Sequence, residues 1–163
     1  MNARKTTVTA AVLTCGLFVL AGSVLAQEDQ EPAQSNCRRV RAHESGLFDP
    51  ATNANTGTVT NGGRLNGTFV AAFLPGFAPT QDPTIVTFMS DFSITTDHGV
   101  LKARNMYLFD FAGVATVLGR IDPVTSTGRF AGATGTLFSA GRVTSFNPFT
   151  TEEDVTADIC FAK

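Results

Sequence analysis

The first candidates for chemistry are three polar residues on otherwise apolar stretches: Asp91, Asn105 and Tyr107. Asn105 and Tyr107 are two positions apart, so in a β-strand both side chains point to one face, together with Phe109. A carboxyl group in an apolar interior is desolvated and its pKa rises, which suits it to proton transfer. In an apolar lumen these residues would be suited to acid–base chemistry on an apolar substrate. A surface ion pair or a satisfied core network is the interpretation that we favour, because perturbed groups mark sites only in some cases.

The chain lacks the common motifs of cofactor and metal chemistry. It has no phosphate-binding glycine-rich loop, no G-x-S-x-G elbow, no paired-cysteine zinc site and no H-E-x-x-H. His98 lies in a predicted turn and His43 ends a predicted strand, so neither is a strong candidate for a general base. We therefore expect neither a metal site nor a cofactor.

The first 26 residues have the pattern of a secretory signal peptide. Arg4 and Lys5 form a basic start, residues 10–20 are largely apolar, and Val24-Leu25-Ala26 fits a small-residue cleavage site. The apolar run is short for a membrane span, and no stop-transfer charges follow it. We expect cleavage after Ala26, no stable membrane insertion, and a secreted or periplasmic protein.

Cleavage would leave a leader and a single domain. Residues 27–36 are acidic and polar and cannot bury apolar surface, which predicts a flexible leader. Residues 37–163 are enough for one domain with a proper core. Residues 27–163 hold ten basic against fourteen acidic residues, a formal charge of −4. Because nucleic-acid-binding domains carry basic patches, nucleic acid is not expected as a partner.

Two cysteines remain after cleavage, Cys37 and Cys160, and they flank the predicted domain. An even number of cysteines in an exported protein indicates a disulfide. A reactive thiol is less favoured, because no histidine that could activate it lies near either cysteine in the sequence. No metal-ligand spacing accompanies the pair. We therefore predict that Cys37 and Cys160 form a disulfide.

The candidate residues lie on segments with the alternating pattern of β-strands. Short turn-forming connections separate these segments, and no convincing helical pattern is present in 37–163, which favours an up-and-down antiparallel meander. Closing such a sheet removes its unpaired edges. The sequence predicts an all-β protein, a single antiparallel β-barrel of seven to eight strands. The predicted strands are 38–44, 65–73, 84–96, 99–111, 114–122, 129–138, 142–146 and 153–161, with a loop or loose hairpin at 45–63 and a turn or bulge at 140–141.

Phenylalanine dominates the aromatic residues, with 14 Phe against one Tyr and no Trp. In the predicted strand 84–96, Phe88 and Phe92 share the more apolar face. With Phe109 and Phe130 they are the candidates for lumen and ligand-binding residues. Several strands are apolar on both faces, and an apolar outer face needs cover. The phenylalanines fill a core and an oligomer interface, or they line a site for an apolar ligand.

A glycine-rich stretch follows the predicted turn at Asp122-Pro123. Residues 126–135 read Ser-Thr-Gly-Arg-Phe-Ala-Gly-Ala-Thr-Gly, a pattern that resembles the signature hairpin of the allene oxide cyclase and dirigent barrels. Outside this hairpin the resemblance rests only on strand spacing. It implies an eight-stranded antiparallel barrel with an apolar lumen, often trimeric, among cyclases, isomerases and proteins that orient radical coupling. It assigns no catalytic role to any residue of this chain.

Two functions remain open from the sequence. The first is an exported barrel that binds an apolar small molecule in its lumen or serves as an oligomeric structural module, a dimer or trimer. The second is a cofactor-free cyclase or isomerase whose lumen fixes one conformer of a flexible apolar substrate. In that case Asn105, Tyr107 or Asp91 supplies the polar group. The catalytic interpretation requires that Asn105 and Tyr107 face inward.

Overall fold

The computed structural model describes residues 36–162, which form a closed antiparallel β-barrel. Eight strands make the wall and one two-residue strand pairs outside it, so the prediction of an all-β barrel of seven to eight strands is confirmed. The strands are β1 (Cys37–Asp49), β2 (Ala54–Thr60), β3 (Gly67–Phe73), β4 (Ala78–Pro79), β5 (Ile85–Thr96), β6 (Gly99–Asp110), β7 (Val114–Ile121), β8 (Thr134–Phe146) and β9 (Phe149–Cys160). Two short 3-10 helices lie at Gly63–Leu65 and Gly128–Phe130.

The predicted signal peptide, 1–26, lies outside the described residues, and so does the leader 27–36 except for its last residue. Both stay predictions. Within residues 36–162, no helix has the length and apolar character needed to cross a bilayer.

The barrel closes through a ladder between β3 and β5. Around the wall the strands follow the order β3, β2, β1, β9, β8, β7, β6 and β5, and each pairs with the next. The ladder between β3 and β5 joins the two ends of this series, with Phe69 of β3 opposite Ile94 of β5. The short β4 pairs with the part of β5 beyond the end of β3. Because side chains alternate along a strand, one face of each strand fills the lumen. On β5 this is the face that carries Phe88 and Phe92, the more apolar one.

The structure differs from the prediction in two stretches rich in glycine and small polar residues. The stretch 45–63 is predicted as a loop or loose hairpin, and it forms a regular hairpin in which β1 continues to Asp49 and pairs with β2 over seven residues. β8 continues to Phe146 without a turn at 140–141, but it begins at Thr134 rather than at 129. Cross-strand pairing overrides weak local strand propensity at 45–60 and 140–141, whereas residues 129–133 belong to the connection before β8.

The connection between β7 and β8 is longer than a hairpin turn and folds over one end of the barrel. Its start is fixed by Asp122, whose Oδ1 accepts a hydrogen bond of 2.8 Å from the backbone N–H of Val124. Further along, the Oγ of Ser126 accepts a bond of 3.0 Å from the backbone N–H of Lys102 on β6. These bonds hold the segment against β6 and place Phe130, 1% exposed, inside the barrel.

We call this end of the barrel the closed end, made of the connections 61–66, 97–98 and 122–133. Apolar side chains fill it, and each one removed from water contributes roughly 1.5–3 kcal/mol to stability. Its most deeply buried residues are Leu65, Ile94, Leu101, Phe130, Ala133 and Ile159.

The two cysteines also meet at the closed end. Cys37 and Cys160 are direct cross-strand partners on β1 and β9, and their sulfur atoms lie at disulfide distance. The predicted pairing is therefore supported by the geometry. A pair at disulfide distance is consistent with an oxidising compartment.

Candidate functional site

The opposite end of the barrel, which we call the open end, contains a cavity of about 280 Å³. It is surrounded by the connections 50–53, 74–84, 111–113 and 147–148. A cavity of about 150 Å³ holds a benzene molecule, so this one has room for roughly a ring with a short side chain. The lining residues that matter below are Phe48, Asn55, Phe73, Phe88, Tyr107 and Glu153.

Aromatic rings form the wall of this cavity. Phe88 of β5 stacks on Tyr107 of β6 with ring centroids 4.8 Å apart. Phe73 of β3 packs edge-on against both rings, at 5.2 and 5.4 Å. Phe48 of β1 extends the cluster, 5.7 Å from Phe73. Since such ring pairs contribute about 0.5–1.5 kcal/mol each beyond their burial, the wall is a connected aromatic surface contributed by four strands.

Two buried glutamates form the floor. Glu153 of β9 lines the cavity, and its cross-strand partner Glu44 of β1 lines a smaller adjoining void of about 10 Å³. Burial, together with the nearby Glu153 carboxyl, raises the pKa of Glu44 to about 8. Burial also raises the pKa of Glu153, against a hydrogen bond that Ser139 donates to its Oε2. The carboxyl of Glu44 therefore keeps its proton at neutral pH.

Glycines on neighbouring strands leave room for the polar floor. A Cβ on Gly141 of β8 would overlap the Cγ of Glu153, and a Cβ on Gly119 of β7 would overlap the Oδ1 of Asn105. Any larger residue at either position would displace the polar side chain beside it. Glycines inside strands often mark such close approaches.

Two buried amides have an acceptor without a partner among the described residues. Asn55 of β2 donates through its Nδ2 to the Oγ1 of Thr151 at 2.9 Å, but its Oδ1 is unpaired, as is the Oδ1 of Asn105. Asn55 lines the open-end cavity, whereas Asn105 lines the smaller void. An unpaired buried acceptor costs about 1–3 kcal/mol, and the Oδ1 of Asn55 is closed off from the cavity, against Gly46 of β1.

The structure brings together two of the three polar candidates from the sequence. Asn105 and Tyr107 are buried and face inward on β6. The phenol oxygen of Tyr107 accepts a hydrogen bond of 3.4 Å from the Oγ of Ser90, and burial raises its pKa. Asp91 lies apart from them on the outer wall, where its exposed carboxylate forms an ion pair of 2.7 Å with Arg104.

The four candidate phenylalanines are divided between the two ends. Phe88 and Phe109 line the open-end cavity. Phe92 is buried deeper, beside the smaller void. Phe130 lies at the closed end and packs against Phe161, with ring centroids 6.2 Å apart. The structure therefore does not place Phe130 with the other three at the cavity.

The sequence reading missed the two floor glutamates. Glu153 has the same strand parity as Val155, Ala157 and Ile159, and Glu44 continues the parity of Val40 and Ala42. That parity is a signal that both side chains face inward. It was outweighed by the usual exposure of glutamate at the ends of predicted strands.

The remaining observations concern metals and relatives. Across residues 36–162, no group of three or more His, Cys, Asp or Glu is placed to hold a metal ion. Comparison with protein-family models, curated proteins and solved structures finds no match for this chain. Its function must therefore be argued from the geometry of the site.

Proposed function

We propose that the protein binds an apolar small molecule in the open-end cavity, as an exported carrier or receptor for that ligand. The observation that carries this proposal is a cavity of about 280 Å³ whose wall is aromatic and whose floor is polar. Small-molecule sites commonly combine apolar walls with a few polar groups that fix orientation. A purely structural barrel gains nothing from burying glutamates beneath such a cavity, because burying a carboxyl group is costly.

Filling the cavity tests this proposal. Ala115 of β7 lines the cavity, and its neighbour Thr116 points to the outer wall. We expect Ala115→Leu to weaken binding of the neutral ligand 3-phenylpropanol, measured by calorimetric titration, at least tenfold, because the added atoms occupy the ligand volume. The matched control, Thr116→Leu, should bind as the parent does. Equal affinities of both variants would place the ligand elsewhere and contradict the proposal.

The second candidate function is a cofactor-free cyclase or isomerase. The observation that favours it is the convergence of titratable groups at the floor: Glu153, Glu44 and Tyr107 all lie within or beside the cavity. A carboxyl with a raised pKa can exchange protons with a bound substrate near neutral pH. The resemblance of residues 126–135 to the allene oxide cyclase and dirigent hairpin is in keeping with this candidate.

Isotope exchange separates the catalyst from the binder. We would purify the protein from its exporting host, identify any retained ligand by native mass spectrometry, and incubate the complex in D₂O. An isomerase that acts by proton transfer incorporates deuterium into carbon positions of the ligand. Glu153→Gln should abolish that incorporation while the ligand stays bound. Retention without incorporation would leave the binding function alone.

We also propose that the outer wall contacts a second copy of the chain. A row of exposed apolar residues crosses four adjacent strands, and its members are direct cross-strand partners: Met89, Met106, Leu118 and Phe138. Contiguous apolar patches of this kind mark interaction surfaces. Sedimentation should show an oligomer of the parent protein and a monomer for Leu118→Glu. The control Thr58→Glu, at an exposed position on β2, should remain an oligomer. A monomeric parent protein would contradict this proposal.

A further inference from the structure

The lumen holds acidic side chains and no basic ones. Glu44 and Glu153 are buried, whereas no Lys, Arg or His is among the buried side chains of residues 36–162. Arg142 reaches the cavity only at its rim and is itself exposed. Buried carboxyl groups normally have a cationic or hydrogen-bonding partner. None of the described residues therefore provides a buried positive partner for the carboxyl groups at the floor.

Asn55 lines the same cavity and is only 7% exposed, but its unpaired Oδ1 is turned against Gly46 of β1 and is closed off from the cavity space. The carboxyl of Glu153 is therefore the acceptor that a ligand in the cavity can meet. Such a carboxyl is completed by hydrogen-bond donors. An ammonium group carries three donors and a positive charge, and it bears no acceptor.

The aromatic wall also suits a cation. Phe73, Phe88 and Tyr107 are in mutual contact and line the cavity above the floor. Aromatic faces attract ammonium groups through the ring quadrupole, and the attraction grows when the cation is desolvated. An apolar ligand body would pack against the rings further out, among them Phe48.

We propose that the open-end cavity is a site for an apolar amine, whose ammonium group is held by Glu153 and whose hydrocarbon body is enclosed by the aromatic wall. This inference rests on the proposed binding function and specifies its ligand class. A carboxylic acid would have to reach the floor against Glu44 and Glu153, or stop at Arg142 on the rim. An alcohol could donate one hydrogen bond but would leave the carboxyl pair without a charge partner.

Binding an ammonium group has a consequence for protons. The titratable or charged groups around the floor are Glu153 on β9, Glu44 on β1, Tyr107 on β6 and, at the rim, Arg142 on β8. Burial favours the protonated form of the glutamates. An ammonium ion at Glu153 also favours the carboxylate form of the neighbouring Glu44, whose pKa is about 8, so part of the Glu44 proton leaves to solvent as the complex forms. The amine complex therefore releases up to one proton near neutral pH, and an alcohol complex releases none.

Three ligands with one body and different heads test the inference: 3-phenylpropylamine, 3-phenylpropanol and 3-phenylpropionic acid. Calorimetric titration in buffers with different ionisation enthalpies measures affinity and the number of protons released. We expect the amine to bind at least tenfold more tightly than the alcohol at pH 8, and the acid most weakly. Amine affinity should rise by up to about tenfold per pH unit from pH 6 to 8, whereas alcohol affinity should stay constant.

A matched pair of variants locates the interaction. Glu153→Gln keeps the shape of the side chain but cannot become negative, so it should reduce the amine preference to threefold or less. Alcohol binding should persist, which shows that the barrel is folded. Glu152→Gln changes the adjacent residue, which is exposed on the outer wall of β9, and it should behave as the parent protein.

The outcomes distinguish this inference from the proposed function. If the alcohol binds as tightly as the amine, or if the acid binds best, the cavity binds apolar ligands but the amine assignment is wrong. If none of the three binds, both the assignment and the proposed function are overturned. A preference for the amine that survives in Glu153→Gln also overturns the assignment, because the charge would then act elsewhere.

Discussion

The two ends of the barrel are built from similar residues but differ in what fills them. At the closed end, Phe130 and Leu65 come from connections that fold inward, and both are about 1% exposed. At the open end, the connections leave Phe77 at 72% exposure and a cavity behind it. The same kind of apolar strand interior therefore becomes a solid core at one end and surrounds a cavity at the other.

The two ends differ in how their connections fold, and the floor formed by Glu44 and Glu153 separates them. The 122–133 connection is bonded along β6 by Ser126 and Thr127, which brings its phenylalanine into the lumen. No comparable plug enters from the 74–84 connection at the open end, within the part of the chain described. The buried Glu44 and Glu153 lie between the two regions. On our proposal, the closed end contributes stability and the open end binds the ligand.

The largest expected loss of stability comes from removing the crosslink at the closed end. The Cys37→Ser/Cys160→Ser double variant removes a crosslink between residues 123 positions apart. In the chain-entropy description, losing such a loop lowers the free energy of unfolding by about 4–5 kcal/mol. Urea denaturation of the oxidised parent and the double variant measures the change. An unchanged midpoint would mean that the crosslink does not form in the folded protein.

A pair of truncations compares the two ends directly. Phe130→Ala should lower the free energy of unfolding by about 3–5 kcal/mol, because it leaves a cavity in a packed core. Phe77→Ala should cost about 1 kcal/mol or less, because that ring is mostly exposed at the open end. Thermal and urea unfolding of both variants give the two values. Similar losses would contradict the division of roles.

The buried glutamates of the floor predict that the free energy of unfolding depends on pH. The pKa of Glu44 rises from 4.5 to about 8 on folding, so the folded state binds this proton more tightly than the unfolded state. The free energy of unfolding should therefore fall as the pH rises from about 4.5 to about 8, by an amount on the order of a few kcal/mol, and then level off. Glu44→Gln should flatten this part of the profile.

Exposed carboxylates do not obscure this window. Hydrogen bonds lower the pKa of Asp122 and of Asp158, the partner of Arg39. Their contribution is present above the ordinary carboxyl pKa and is lost only as the pH falls below about 4. Urea unfolding between pH 5 and 9 thus isolates the buried glutamates. A parent profile that rises over this range would contradict the burial of Glu44.

The smallest effect is expected on the outer wall, which belongs to neither end. The ion pair between Asp91 and Arg104 is more than half exposed on both sides. Asp91→Asn should therefore change the free energy of unfolding by about 0.2–1 kcal/mol at low salt, and by less in 1 M NaCl. It should leave binding in the cavity unchanged, and a weakened ligand affinity would mean that the outer wall supports the site.

The sequence predicts the walls of this molecule better than its ends. Alternation along 84–96 and the turn at Asp97-His98-Gly99 define β5, β6 and their inward faces, including Asn105 and Tyr107. The same alternation separates Asp91 from Phe88. Periodicity reports a side of the sheet, and it carries no information on which end of the lumen a residue occupies. For that reason Phe130 could not be separated from Phe109.

Long-range pairing explains the other shortfall. Glu44 and Glu153 become neighbours only because β1 pairs with β9, and these are the first and the last strand along the chain. The composition of 45–63 resembles a loop, and only its pairing with β1 makes a strand of 54–60. A single sequence read locally does not contain these contacts, so neither the polar floor nor the cavity above it could be predicted.

The central claim is that ligand binds at the open end and nowhere else. The most direct measurement is amide chemical-shift mapping by NMR while 3-phenylpropylamine and, in a separate titration, 3-phenylpropanol are added to the folded protein. We expect both ligands to shift Asn55, Thr151, Glu153 and the connection 74–77, with the closed-end segment 126–135 unmoved. Shifts confined to the closed end or to the outer row of Met106 and Leu118, or no shifts with either ligand, would contradict the claim.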